Sequence, residues 1–255
     1  MLKKVFKQYL YKLGYSISRA GSNSFTPVEL SKDDFELVND VRANNLSMTT
    51  TSNLYATVLA CKYIIENNIS GDFVECGVYR GGHSIIAASI FKRYQVEKKV
   101  YMFDTFAGMT VPTKFDKKSS TGEPAIKKYY NTLKPRYSNW AYSPLEEVRR
   151  NFKDRQLTEY AIFVKGDVNN TLLNKQNIAN RISFLRLDTD WYESTKLELE
   201  ILYPKLVNGG VLVIDDYGSW DGVLKAVNEY FNTLPKKPYM GVIDSAARLL
   251  IKYDN

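Results

Sequence analysis

The chain is poor in the residues that staple small folds or grip soft metals. Among its 255 residues are two cysteines, Cys61 and Cys76, and one histidine, His83. That excludes a disulfide framework and a Cys/His zinc centre, and both thiols are expected to be reduced and buried. No stretch approaches the roughly 20 consecutive apolar residues that span a bilayer. The N-terminus also lacks the apolar run and small-residue cleavage site of a secretory signal, so the sequence reads as cytoplasmic. Acidic residues are missing from the first twenty positions, where Lys3, Lys4, Lys7, Lys12 and Arg19 supply five of the formal +7 and leave +2 for the remainder. A nucleic-acid binder would spread such charge over a folded face, so nucleic acid is not an expected partner.

What is present is enough for a large core: 44% of the residues are hydrophobic and 25% charged, at a length that suits one domain with an insertion. Leu2, Phe6, Tyr9, Leu10 and Leu13 follow helical spacing up to Gly14. This basic amphipathic helix is expected to pack on the domain or on a partner subunit of a homo-oligomer, with peripheral contact to acidic lipid at the inner membrane face as the alternative. Residues 1–45 therefore read as an N-terminal extension and 46–255 as the main domain, with Ser16 to Pro27 as a loop.

From Thr49 onward apolar runs alternate with helical patterns. A helix through Leu54, Val58 and Ile64 ends near Gly71, and strand Phe73–Cys76 follows. Helix Ser84–Tyr94 precedes strand Val100–Phe103, Pro144–Phe152 precedes Ala161–Val164, and Thr171–Ala179 precedes Ile182–Leu187. Helix Ser194–Leu206 and a turn at Asn208-Gly209-Gly210 precede strand Val211–Ile214; helix Val223–Phe231 precedes strands near Tyr239–Ile243 and Arg248–Lys252. Such alternation predicts an α/β fold of Rossmann-like, doubly wound type, its sheet mostly parallel with an antiparallel C-terminal edge. Ala107 to Tyr142 fits neither a strand nor one clear helix and reads as a lid-like insertion, residues 107–142.

In such sheets ligands bind beyond the carboxyl ends of the strands. That rule selects Glu75 to Ser84, Asp104 to Phe106, Asp167, Asp188 to Asp190, and Asp215 to Tyr217. The loop containing Gly77, Tyr79, Arg80 and Gly81 allows a ligand close to the backbone at a helix start. It departs from the G-x-G-x-x-G spacing, and Glu75 within it would repel a pyrophosphate while suiting an amino group. That favours S-adenosylmethionine over NAD. Asp104, Thr105 and Phe106 follow the second strand, where an acid binds ribose hydroxyls. Asp167 reads either as acceptor for an adenine amino group or as a helix cap.

The acids of Leu187-Asp188-Thr189-Asp190 and Ile214-Asp215-Asp216 end neighbouring strands and converge on one rim. All-oxygen sites of this kind suit Mg²⁺, whereas helix capping accounts for one acid per strand and not four. His83, beside Ser84 at a helix start, reads as structural or donor-adjacent and not as a catalytic base.

Gly71 to Gly82, Phe103-Asp104-Thr105-Phe106-Ala107-Gly108-Met109, Leu187 to Thr195, Tyr203 to Gly210 and Asp215-Asp216-Tyr217-Gly218 occur in an order that resembles the macrocin O-methyltransferase-like enzymes, over roughly Met48 to Tyr230. Those enzymes methylate sugar hydroxyls of macrolides, aminocoumarins and other glycosides. The resemblance implies Asp188, Asp215 and Asp216 as metal ligands, Asp188 as general base, and Glu75, Gly77, Ser84 and Asp104 as contacts to the methyl donor. It therefore implies S-adenosylmethionine and Mg²⁺ (or another divalent cation) as cofactors and a small-molecule or glycan-linked sugar as acceptor. The rival readings are a catechol-type O-methyltransferase and a nucleotide-binding module without chemistry.

Overall fold

The computed structural model describes residues 26–253. The expected N-terminal basic helix lies outside the described residues, and among those described no helix is long and apolar enough to cross a membrane. Helix α1, Lys32–Ala43, starts at a capping box in which Ser31 and Asp34 satisfy each other's backbone amides, and buries Val38 and Val41. Asp34 is itself buried and paired with Lys62 and Arg93, which fastens α1 to the helices α2, Thr51–Glu66, and α3, Gly82–Arg93.

The strands are β1 Asp72–Cys76, β2 Val100–Asp104, β3 Ala161–Lys165, β4 Ile182–Leu187, β5 Leu206–Ile214, β6 Gly241–Val242 and β7 Arg248–Ile251. They form one sheet in the order β3-β2-β1-β4-β5-β7-β6. The first five run parallel; β7 pairs antiparallel with β5, and β6 with β7. The doubly wound architecture and the antiparallel edge thus stand as the alternation implied.

Side chains leave a strand alternately to either face, and the two cores follow that period. Phe73, Met102, Phe184 and Val213 pack with α1, α2, α3 and α5, Leu145–Asp154. Val74, Phe103, Leu185 and Leu212 pack on the other face with α6, Val168–Thr171, α7, Tyr192–Leu202, and α8, Asp221–Asn232.

Three local expectations need correction. Asn208-Gly209-Gly210 is not a turn before the strand but part of β5. Gly209 takes φ +79°, and the pairing of β5 with β4 slips between Ile182 and Phe184, so the glycines accommodate an irregularity inside the strand. The helix expected over Thr171–Ala179 shrinks to the four residues of α6 and a 3₁₀ turn, Lys175–Asn177. Asn174 explains the break, since its side chain accepts from the Gln176 amide and offers the backbone a turn instead of a helix. The 107–142 insertion contains a helix after all: α4, Ala125–Thr132, buries Ala125 and Tyr129 one turn apart.

Candidate active site

The carboxyl ends of β1, β2, β4 and β5 open into one cavity of about 330 Å³. Glu75, Gly77, Tyr79, Asp104, Thr105, Asp167, Asp188, Asp215 and Asp216 all line it. Arg80, Gly81, Ser84 and Phe106 stand behind the wall. Arg80 pairs with Glu147 at 3.3 Å and lies over the Tyr79 ring; Gly81, at φ +90°, caps α3; Phe106 packs on Phe163.

Two groups organise the β1 loop. Ser84, fully buried, donates to Glu75 Oε2 at 2.5 Å. Asp104 receives the Val78 and Tyr79 amides on Oδ2, at 2.7 and 3.1 Å, and the Phe106 amide on Oδ1 at 2.7 Å. Tyr79 and Phe106 flank this carboxylate in left-handed conformations, φ +50° and +49°, and such strain in non-glycine residues marks loops held by their surroundings. Burial raises the pKa of Asp104 against those amide bonds, and pushes Glu75 up to about 7 against the pull of Arg186 and Ser84. Asp167 does cap α6, accepting the Asn169 amide at 2.9 Å, and faces the cavity as well. His83 is buried with Nδ1 on Thr57 at 2.7 Å and Nε2 on Thr49 at 3.0 Å, and burial drops its pKa well below the usual range. It is neutral and fully engaged, which suits a supporting role.

On the other side of the cavity Asp188, Asp215 and Asp216 each offer an oxygen within 4.8 Å of the others. Their side chains are not spent on helix capping: the first amide of α7, Tyr192, bonds Asp116 Oδ1 at 2.8 Å, and α8 begins without a side-chain cap. Burial, followed by the charges of their neighbours, raises the pKa of Asp188 and Asp216 well above the ordinary carboxylate range. Asp190 is pushed up to about 7 and accepts Trp220 Nε1 at 3.0 Å. A hard cation is what such an oxygen cluster fits, since it would offset the mutual repulsion. The acidic lining at Glu75 and Asp104 fits a ligand bearing an amino group and vicinal hydroxyls.

Sequence reasoning missed Arg186. It lies fully buried in β4 and bonds Glu75, Asp188, Asp215 and Asn53. A charged residue inside the otherwise apolar run of Ile182–Leu187 was the available signal, because a buried cation must be paired. Also missed was the meeting of all three tryptophans: ring centroids of Trp140, Trp191 and Trp220 lie 5.1 to 5.9 Å apart, with Lys128 Nζ 3.9 Å over Trp140. Trp140, Lys128 and Met109 bring the insertion onto the cavity.

The profile of the Macrocin-O-methyltransferase (TylF) family matches residues 5–250. A demethyldecarbamoylnovobiocin O-methyltransferase from Streptomyces niveus is 36% identical over 169 residues, 66% of this chain and 60% of that protein. The chain thus aligns with less than two thirds of that relative's length. A mycinamicin III 3''-O-methyltransferase from Micromonospora griseorubida is 28% identical over 232 residues, 90% of this chain and 86% of its own. The solved structure of the O-methyltransferase NovP superposes with a TM-score of 0.72 at 27% identity, covering 82% of this chain and 83% of NovP. With the family profile matched along nearly its whole length, the chain belongs to the macrocin O-methyltransferase (TylF) family.

Proposed function

We propose that the chain is an O-methyltransferase that moves the methyl group of S-adenosylmethionine to a hydroxyl of a sugar or glycoside, with Mg²⁺ or a similar cation held by Asp188, Asp215 and Asp216. The observation that carries this reading is the joining, in one cavity, of the Glu75 and Asp104 pair with the three-carboxylate cluster. When bound, the donor supplies an electrophilic methyl on a positive sulfur, and the cation makes an acceptor hydroxyl more acidic. Glu75 accepts from the donor's amino group, Asp104 from its ribose hydroxyls, and Asp167 from the adenine edge. Asp188 would take the acceptor's proton, and the shared rim would hold acceptor and donor side by side. The sugar assignment draws on a relative, 32% identical over 169 residues, that is named for an acceptor bearing a rhamnosyl group.

The test is incubation with labelled methyl donor and Mg²⁺ against panels of glycosides and catechols, with and without EDTA. Label on a glycoside, lost with EDTA, is the expected result. Label on catechols alone would replace the sugar reading. Full turnover in excess EDTA would remove the cation from it, and no S-adenosylhomocysteine binding at millimolar concentration would remove the donor.

A further inference from the structure

Arg186 spends its whole guanidinium on the site. Nε donates to Glu75 Oε1 at 3.2 Å, Nη1 to Asn53 Oδ1 at 3.1 Å, and Nη2 to both Asp188 Oδ2 and Asp215 Oδ1 at 2.8 Å. Asn53, also buried, returns a hydrogen bond from Nδ2 to Asp215. A guanidinium at 0% exposure is stable only because acids surround it, and the charges of Asp215, Asp188 and Glu75 overturn the burial penalty and raise its pKa.

Those acids come from the two halves of the cavity. Glu75 belongs to the donor side; Asp188 and Asp215 belong to the cation side. Nη2 takes one oxygen of each aspartate, and together with Asp216 the two present oxygens within 4.8 Å of one another. The planar fork fixes the directions of these bonds, which the single ammonium of a lysine cannot do.

We propose that Arg186 is a positioning residue that couples the two halves, so that donor and cation each strengthen the binding of the other. The inference rests on the donor and cation assignments made above. When the donor's amino group takes up the charge of Glu75, the guanidinium is left to Asp188 and Asp215 and holds that pair in one arrangement. By linkage the cation must tighten the donor by the same factor.

The experiment uses the full chain and two probes: calorimetry with S-adenosylhomocysteine, and electron paramagnetic resonance with Mn²⁺, each with and without the other ligand. In the wild type each probe tightens the other by about fivefold or more, with the two factors equal. Arg186→Lys keeps the charge and loses the fork; Mn²⁺ affinity falls by roughly 10–100-fold, the range for groups that orient metal ligands, and the linkage factor drops to one. Asp104→Asn weakens the donor yet retains the factor, which separates coupling from simple loss of affinity. A wild type that binds both probes independently overturns the proposal, as does a folded Arg186→Lys that keeps the linkage. If Arg186→Lys does not fold, Asn53→Ala removes the Nη1 acceptor and one donor to Asp215; an undiminished factor in that variant overturns the proposal equally. A wild type that binds neither probe instead overturns the site assignment on which the proposal stands.

Discussion

Gly77 and Asp188 meet backbone to backbone: a Cβ built on Gly77 would stand 1.9 Å from the Asp188 carbonyl oxygen, and Gly77 has φ +83°. The loop that follows β1 therefore rests directly on the residue that heads the acid cluster. Gly77→Ala meets both a forbidden conformation and a clash with main chain, which cannot rotate away. The variant is expected to lose about 1–3 kcal/mol of stability, by the usual cost of overpacking, and nearly all methyl transfer. Thermal unfolding and turnover, measured together, check this. Wild-type turnover in a folded Gly77→Ala would show that the contact does not position Asp188.

Asp104 supports the same loop from the side, through its bonds to the Val78, Tyr79 and Phe106 amides. Asp104→Ala removes both that support and the acceptor proposed for the ribose hydroxyls. S-adenosylhomocysteine binding should weaken by about 1.5–3 kcal/mol, the range for hydrogen bonds to a charged group. Calorimetry reads the change directly, and unaltered affinity would take Asp104 out of the donor site.

How much of this was legible beforehand differs by length scale. The parallel sheet was, because buried strands read as apolar runs and the helices between them leave few topologies open. The acid cluster was also legible, since Asp188, Asp215 and Asp216 each sit at a strand end. Position in a motif did not tell which residues face the cavity. Ser84 and Arg80 belong to the motif that follows β1, yet one braces Glu75 and the other pairs with Glu147 outside the pocket. The glycines of Asn208-Gly209-Gly210 carry the same signal whether they make a turn or an irregular strand; only the backbone bonds of Gly209 and Gly210 to Lys252 decide. Trp140, Trp191 and Trp220 are separated by dozens of residues, and nothing local announces their contact.

Glu198 lies fully buried behind the cluster, where Thr189 Oγ1 bonds its Oε1 at 2.9 Å, and burial pushes its carboxyl from an ordinary 4.5 up to about 8 against that hydrogen bond. The folded chain then holds a proton that the unfolded chain releases. Stability from this group is fully present below pH 4.5 and is lost as pH rises through about 8. Glu198→Gln mimics the protonated form and should abolish that part of the loss, on the order of 4 kcal/mol across the window. Glu75 is raised in the same direction and remains in both proteins. The difference between the two melting profiles isolates Glu198, and parallel profiles from pH 4.5 to 8 would show that it is ionised in the fold.

Trp191 and Trp220 are pinned by their indole N–H groups, on the Thr110 carbonyl at 3.1 Å and on Asp190 at 3.0 Å. Trp140 comes from the insertion, lines the cavity and lies edge-on to Trp191 under the ammonium of Lys128. It is thus placed to offer an aromatic face to whatever enters beside the acid cluster. No hydrogen bond or ring contact joins it to Glu75 or Asp104, the residues proposed for the donor. Trp140→Ala is therefore expected to raise the acceptor KM by about tenfold, ~1.4 kcal/mol, while S-adenosylhomocysteine affinity stays within about twofold. A folded variant with weakened S-adenosylhomocysteine binding and an unchanged acceptor KM would place Trp140, and the insertion that carries it, on the donor side instead.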